Sequence, residues 1–132
     1  MSNKKILIVD DDHDVRLAYH IRLKANHYDT FFATDSLTGI TEARRHQPDL
    51  IILDLGLPGD DGYLVMERLK ANAYLAVIPV IVISARDRRA SRDRALQAGA
   101  RAFFQKPVNN DDLLAAIRQC LGQPEATVQQ MA

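Results

Sequence analysis

Ile6-Leu7-Ile8-Val9-Asp10-Asp11-Asp12 is an apolar run of strand length that ends in three carboxylates. Unbroken apolar residues over so short a span suit a strand buried on both faces, as in a parallel sheet. Two more runs repeat the design: Leu50-Ile51-Ile52-Leu53 leads into Asp54, and Val80-Ile81-Val82-Ile83 into Ser84. A fourth segment, Ala102-Phe103-Phe104-Gln105, leads into Lys106-Pro107. Helix-patterned segments separate these runs, which predicts an α/β fold built on a parallel sheet. Such a sheet gathers the carboxyl ends of its strands along one edge, the edge where open α/β sheets bind ligands. Here that edge would carry several carboxylates, a hydroxyl and an ammonium.

Working outward, the first strand is Lys5 to Val9, and a helix follows from near Asp14 with Val15, Ala18, Tyr19 and Leu23 inward. Asn26-His27 suits the left-handed geometry of a helix end. Tyr28 to Ala33 is the second strand. Asp35 or Ser36 can cap a helix that turns Leu37, Ile40 and Ala43 inward. Pro48-Asp49 introduces the third strand, and the turn-rich Gly56-Leu57-Pro58-Gly59-Asp60-Asp61-Gly62 leads into a helix with Tyr63, Met66 and Leu69 inward. After Pro79 and the fourth strand, a helix from Asp87 to Ala98 is closed by Gly99. Arg101 to Gln105 is the fifth strand, and a last helix near Asp111 to Leu121 turns Leu114, Ile117 and Leu121 to one face. Gly122 onward reads as a polar tail or linker stub.

A chain of 132 residues fits one domain. Seventeen basic and 17 acidic residues cancel, so no global field draws the protein to nucleic acid or membrane. The single Cys120 cannot form an internal disulfide. The longest apolar stretch, Ala73 to Ile83, is broken by Pro79 and falls short of the ~20 residues of a membrane span. Met1-Ser2-Asn3-Lys4-Lys5 contains no signal-peptide core, so a cytoplasmic protein is expected.

A lone aspartate after a strand is commonly a turn residue or helix cap, which is the expectation for Asp12 and Asp14. Asp10, Asp11 and Asp54 are different, because adjacent parallel strands would bring them to one place. Two unit charges 4 Å apart repel by about 4 kcal/mol at an effective dielectric near 20. Such a cluster calls for a cation, and a hard ion such as Mg²⁺, held by few carboxylates and several waters, suits it.

Together, Val9-Asp10-Asp11, the segment Leu53 to Gly62, Ser84-Ala85 and Lys106-Pro107 resemble the receiver domain of two-component response regulators. The resemblance extends over residues 4–121 and implies a domain of residues 1–121 followed by the tail 122–132. It implies a flavodoxin-like (βα)5 three-layer sandwich with five parallel strands in order 2-1-3-4-5. It makes Asp54 the phosphoacceptor, attacking the phosphohistidine of a sensor histidine kinase or phosphotransfer protein. Asp10, Asp11, Asp54 and the backbone carbonyl of Gly56 become the Mg²⁺ ligands, while Ser84 and Lys106 contact the phosphoryl group. Phe103 occupies the place of the switch aromatic, and Phe104, on the opposite face, reads as core. The expected function is a phosphorylation-activated signalling switch that catalyses its own phosphorylation and dephosphorylation rather than a turnover enzyme. Its partner downstream would be a protein or an output domain, engaged through the face formed by the fourth helix, fifth strand and fifth helix.

Two rivals stand beside this reading. One is an interaction module of the same fold that works without phosphate. The other is a phosphohydrolase of the haloacid dehalogenase kind, whose Asp-x-Asp element Asp10-Asp11-Asp12 formally fits. The segment Arg86 to Arg101 holds six arginines against Asp87 and Asp93, either a solvated helix surface or a dock for an acidic partner. No helix-turn-helix segment supports direct binding to DNA. His13, His20, His27 and His46 are scattered and suggest no histidine metal centre, and Cys120 reads as a packing residue.

Overall fold

The computed structural model describes residues 3–57, 61–85 and 88–124. Five strands alternate with five helices: β1 (Lys5–Val9), α1 (His13–Ala25), β2 (Asp29–Ala33), α2 (Ser36–His46), β3 (Leu50–Asp54), α3 (Asp61–Lys70), β4 (Val80–Ser84), α4 (Arg88–Gln97), β5 (Ala102–Gln105) and α5 (Asn110–Leu121). All strand pairs are parallel, and the sheet order is β2-β1-β3-β4-β5, as the resemblance implies.

Given that order, right-handed crossovers fix which face each connecting helix covers. The chain steps from β1 to β2 in one direction, then returns past β1 to lay down β3, β4 and β5 in the other. Reversing the direction of travel moves the connecting helix to the other face. Accordingly Tyr19 and Leu23 of α1, with Leu113, Leu114 and Ile117 of α5, pack on Ile6, Ile8, Leu50, Ile52, Ile81 and Ile83. The opposite face joins Leu7, Val9, Ile51, Leu53, Val80 and Val82 to Ile40, Ala43, Val65, Met66, Leu69 and Ala95 of α2, α3 and α4. Strand alternation assigns neighbouring residues to the two faces. Central strands β3 and β4 are therefore buried along their length and apolar up to their last residues, Asp54 and Ser84, each Leu or Ile contributing about 1.5–3 kcal/mol.

Local chemistry sets the helix ends. Asp12 caps α1, accepting from the amides of Asp14 and Val15. Asp35 caps α2 in a reciprocal box with Thr38. His27 and Gly99 take positive φ, as their positions require. Gln47 also closes α2 in the left-handed region (φ 47°), a role its side chain does not announce. Gly122 closes α5 at φ 67°, and the Tyr28 hydroxyl donates to Gln123 Oε1 at 2.6 Å, so the first tail residues belong to the body.

Two inward assignments need correction. Leu37 is 67% exposed, because Ser36, Gly39, Ile40 and Ala43 form the buried stripe of α2. Ala18 is exposed as well, since α1 turns only Tyr19 and Leu23 fully to the sheet. The segment Pro58-Gly59-Asp60, the pair Arg86-Asp87 and residues 125–132 lie outside the described residues. No helix among the described residues is long and apolar enough to cross a membrane.

The start of α3 is held hard against the end of β3. A Cβ placed on Gly62 would stand 2.7 Å from Leu55 Cα and 3.0 Å from the Asp54 carbonyl oxygen, both backbone atoms that cannot swing away. Gly62→Ala should therefore lower stability by roughly 1–3 kcal/mol, whereas Gly39→Ala, meeting methyls of Val9 and Val65 at 3.4 Å and beyond, should stay within about 1 kcal/mol of wild type. Urea midpoints of the two variants would test the contrast.

Candidate functional site

Strand register brings the chemistry together. Val9 pairs with Leu53, so Asp10 and Asp54, one residue on, end level on adjacent strands. Sheet order reverses between β1 and β3, leaving a crevice at their carboxyl ends. Next along the edge, Ser84 pairs with Gln105, and Lys106 follows it. The Lys106 amide donates to the Ser84 carbonyl at 2.8 Å, and the Lys106–Pro107 peptide is cis.

The side chains converge on one point. Carboxylate oxygens of Asp10, Asp11 and Asp54 lie within 4.8 Å of one another, a group able to hold a metal ion. Lys106 reaches back across the end of β4 and sets its Nζ 3.1 Å from Asp10 Oδ2 and 3.3 Å from Asp54 Oδ2. Asp10 and Asp54 are buried, with 2% and 6% exposure, and Ser84 is wholly buried, whereas Asp11 faces solvent. The remaining oxygens are also engaged: the Asp12 amide donates to Asp10 Oδ1 at 2.9 Å, and the Gly56 amide to Asp54 Oδ1 at 2.8 Å. A Cβ on Gly56 would lie 3.2–3.3 Å from both Asp54 oxygens, so a bare backbone here keeps that carboxylate accessible.

Charge is underbalanced. Among the described residues three carboxylates face one ammonium, and burial, reinforced by the charge of Asp54, pushes the Asp10 carboxyl above its ordinary value of 3.8. Lys106 responds in the opposite sense. Burial alone would lower its pKa, but the charges of Asp54 and Asp10 outweigh burial and hold it above 10.5. Nearby Tyr19 is pushed up to about 12, chiefly by burial.

Other sequence candidates lie elsewhere or do other work. Asp12 caps α1, so the second carboxylate of the Asp-x-Asp element is engaged by helix amides. His13 is exposed beside the groove between α1 and α2, while His20 bonds Thr30 and His46 pairs with Glu42 at 2.9 Å and stacks on Phe31. Phe103 is half-buried against the α2–α3–α4 layer and Phe104 against the α1–α5 layer. Cys120 packs at the edge of the latter. In the arginine-rich stretch, Arg94 lies over the Tyr63 ring at 3.6 Å from its centroid, tying α4 to α3. The pairings of Arg88 and Arg89 fall outside the described side chains. Sequence reasoning missed Arg16, whose Nη1 donates to the Asp10 carbonyl at 2.8 Å; nothing in a lone arginine on a helix signalled it.

The response regulator receiver domain matches residues 6–118, from β1 through most of α5. This chain belongs to that family. Response regulator PleD of Caulobacter vibrioides is 39% identical over 115 residues, 86% of this chain and 25% of that protein. The KDP operon transcriptional regulatory protein KdpE of Escherichia coli is 37% identical over 122 residues, 92% of this chain and 53% of that protein. The BeF3-activated N-terminal receiver domain of Klebsiella pneumoniae RstA matches with a TM-score of 0.81 at 26% identity, covering 91% of this chain and all of that one. The receiver thus spans between a quarter and about half of these two curated relatives. Receivers are the signalling domains of two-component systems, and the general function of the family is to accept a phosphoryl group.

The ion pairs of Lys106 carry a pH signature. A folded-state pKa above the unfolded one gives a contribution that is complete below 10.5 and lost as pH rises through the folded value. Denaturant midpoints of wild type and Lys106→Met should lie well apart near neutrality and converge as pH climbs past 10.5. A gap that stays constant would show that the ammonium contributes nothing to the fold.

Proposed function

We propose that this receiver accepts a phosphoryl group on Asp54 from the phosphohistidine of a sensor kinase or phosphotransfer protein. One observation carries the reading: a buried carboxylate at the sheet's reversal point shares a single ammonium with a second buried carboxylate. An Asp54 oxygen attacks the phosphorus, the bond from phosphorus to the imidazole nitrogen breaks, and its electron pair stays on that nitrogen; the proton already on the other ring nitrogen lets the imidazole leave neutral. Lys106 can turn from the carboxylates to an incoming phosphoryl oxygen without leaving its place. Ser84, at the end of the neighbouring strand, supplies a hydroxyl for another. With the nucleophile fixed on a strand, positioning and charge stabilisation account for the catalysis.

Asp10, Asp11 and Asp54, with the Gly56 carbonyl, would hold Mg²⁺. The fit rests on the clustered carboxylate oxygens and on the upward push on Asp10, both marks of a site short of positive charge. When bound, Mg²⁺ neutralises charge on the phosphoryl oxygens.

Signal output, in this reading, runs through the opposite face. Ser84 has the strand parity of Val80 and Val82, and Phe103 pairs with Val82 in the layer that packs against α4. Ser84 drawn toward a phosphoryl group would vacate space on that face, and Phe103 would follow it, biasing a pre-existing equilibrium. The surface of α4, β5 and α5 would then meet a partner protein or output domain.

Acetyl phosphate or beryllofluoride with Mg²⁺ should modify or occupy Asp54 alone, and Asp54→Asn should abolish this with the fold intact. That variant should also melt higher without Mg²⁺, because it removes one of the crowded negative charges. Phosphate incorporation undiminished in Asp54→Asn, measured by mass spectrometry, would refute the assignment.

Asp11→Ala and Asp12→Ala should separate cleanly. The first should weaken Mg²⁺ binding at nearly unchanged stability. The second should cost about 1 kcal/mol as a lost helix cap and leave Mg²⁺ binding near wild type. Indistinguishable Mg²⁺ titrations would move the metal site elsewhere.

Phe103→Ala should phosphorylate at a near-normal rate but blunt the beryllofluoride-induced hydrogen-exchange changes at Ser91 to Arg94 and Ala102 to Val108. Leu37 to Arg45 on α2 should respond little in either protein. An undiminished response in Phe103→Ala would remove this aromatic from the switch.

A further inference from the structure

Asp10 is held at four points, and three of them belong to elements already described. Its amide donates to Ala33 of β2 at 3.1 Å, one carboxylate oxygen accepts from the Asp12 amide, and the other from Lys106. The fourth is Arg16 Nη1, which binds the Asp10 carbonyl oxygen at 2.8 Å. That carbonyl shares a rigid peptide plane with the nitrogen and Cα of Asp11. No side-chain hydrogen bond among the described residues fixes the Asp11 carboxylate, so its direction depends on how that plane is set. Arg16 itself is anchored, because its amide closes the first turn of α1 on the Asp12 carbonyl at 3.1 Å.

We propose that Arg16 is a positioning residue for the acidic cluster: it fixes the Asp10–Asp11 peptide so that Asp11 stands ready to bind a cation beside Asp10 and Asp54. The inference rests on the Mg²⁺ reading of those three residues given above. Arg16 touches neither carboxylate, and it lies half-buried along the groove between α1 and α2, so it acts through the backbone alone.

Charge and position make opposite predictions here. A guanidinium near the cluster repels an incoming cation, so if Arg16 were merely a nearby charge, removing it would tighten Mg²⁺ binding. If it positions Asp11, removing it weakens binding despite the relieved repulsion. Loss of a partner that orients a metal ligand typically costs 10–100-fold in affinity. An ammonium keeps the charge but not the planar fork.

The test is calorimetric titration of the full chain with MgCl2, comparing wild type, Arg16→Gln and Arg16→Lys, with circular dichroism melts to confirm folding. Both variants should bind Mg²⁺ about tenfold more weakly, and the Asp11 amide resonance should shift before any Mg²⁺ is added. Affinity in Arg16→Gln equal to or tighter than wild type overturns the proposal. If the variants fail to fold, the wild type still decides: the Arg16 guanidinium protons should exchange more slowly than those of Arg22, exposed on the same helix. Equal exchange overturns the proposal too. Wild type that binds no Mg²⁺ would instead overthrow the metal reading itself, a result distinct from tight binding by the variants.

Discussion

Everything at the carboxyl edge of this sheet depends on one ammonium balancing two buried carboxylates. Lys106 directly follows β5, the strand at one margin, and its Nζ lies within 3.3 Å of Asp10, just past β1, and Asp54, at the end of β3. Burying charges is costly unless they are paired, so this contact permits Asp10 and Asp54 to sit nearly out of water. It also leaves the balance incomplete. Among the described residues one ammonium faces the carboxylates of Asp10, Asp11 and Asp54, a group able to hold a metal ion.

Parallel pairing makes that arrangement possible. An antiparallel neighbour would bring the amino end of a strand beside Asp54, and the four strand ends that supply Asp10, Asp54, Ser84 and Lys106 would scatter to both edges. Register then refines the gathering. Asp10 and Asp54 lie level, while Ser84 and Lys106 each sit one step further on. Glycine completes the edge where bulk would spoil it: a Cβ at residue 56 would crowd the Asp54 oxygens, and one at residue 62 would collide with the backbone of Leu55.

Much of this was legible in the chain. The central strands were plain because burial on both faces leaves unbroken apolar runs, whereas the caps were narrowed to two candidates each, of which Asp12 and Asp35 are the ones that accept helix amides. That Asp10, Asp54, Ser84 and Lys106 gather at one edge was legible because each stands at or just past the carboxyl end of an apolar run. Helix faces were harder to read. Leu37 fits an apolar stripe on α2 as well as Gly39 does, and only the close approach of the helix to Val9 shows that glycine takes the inward place. Gln47 entered the left-handed region without any compositional sign. Arg16 was invisible for another reason: its partner is a backbone carbonyl, and carbonyls leave no mark in a sequence.

The two apolar clusters that flank the sheet have no side chain in common. Asp10, Asp54 and Lys106 follow the strand parity of the α1–α5 layer, whereas Ser84 and Phe103 follow that of the α2–α3–α4 layer. The sheet therefore works as a partition with a shared rim. A substitution that repacks one compartment changes a cluster that shares no side chain with the other. The rim is then a place where a change on either side is felt by both, since Asp10, Asp54 and Lys106 reach it from one compartment and Ser84 from the other.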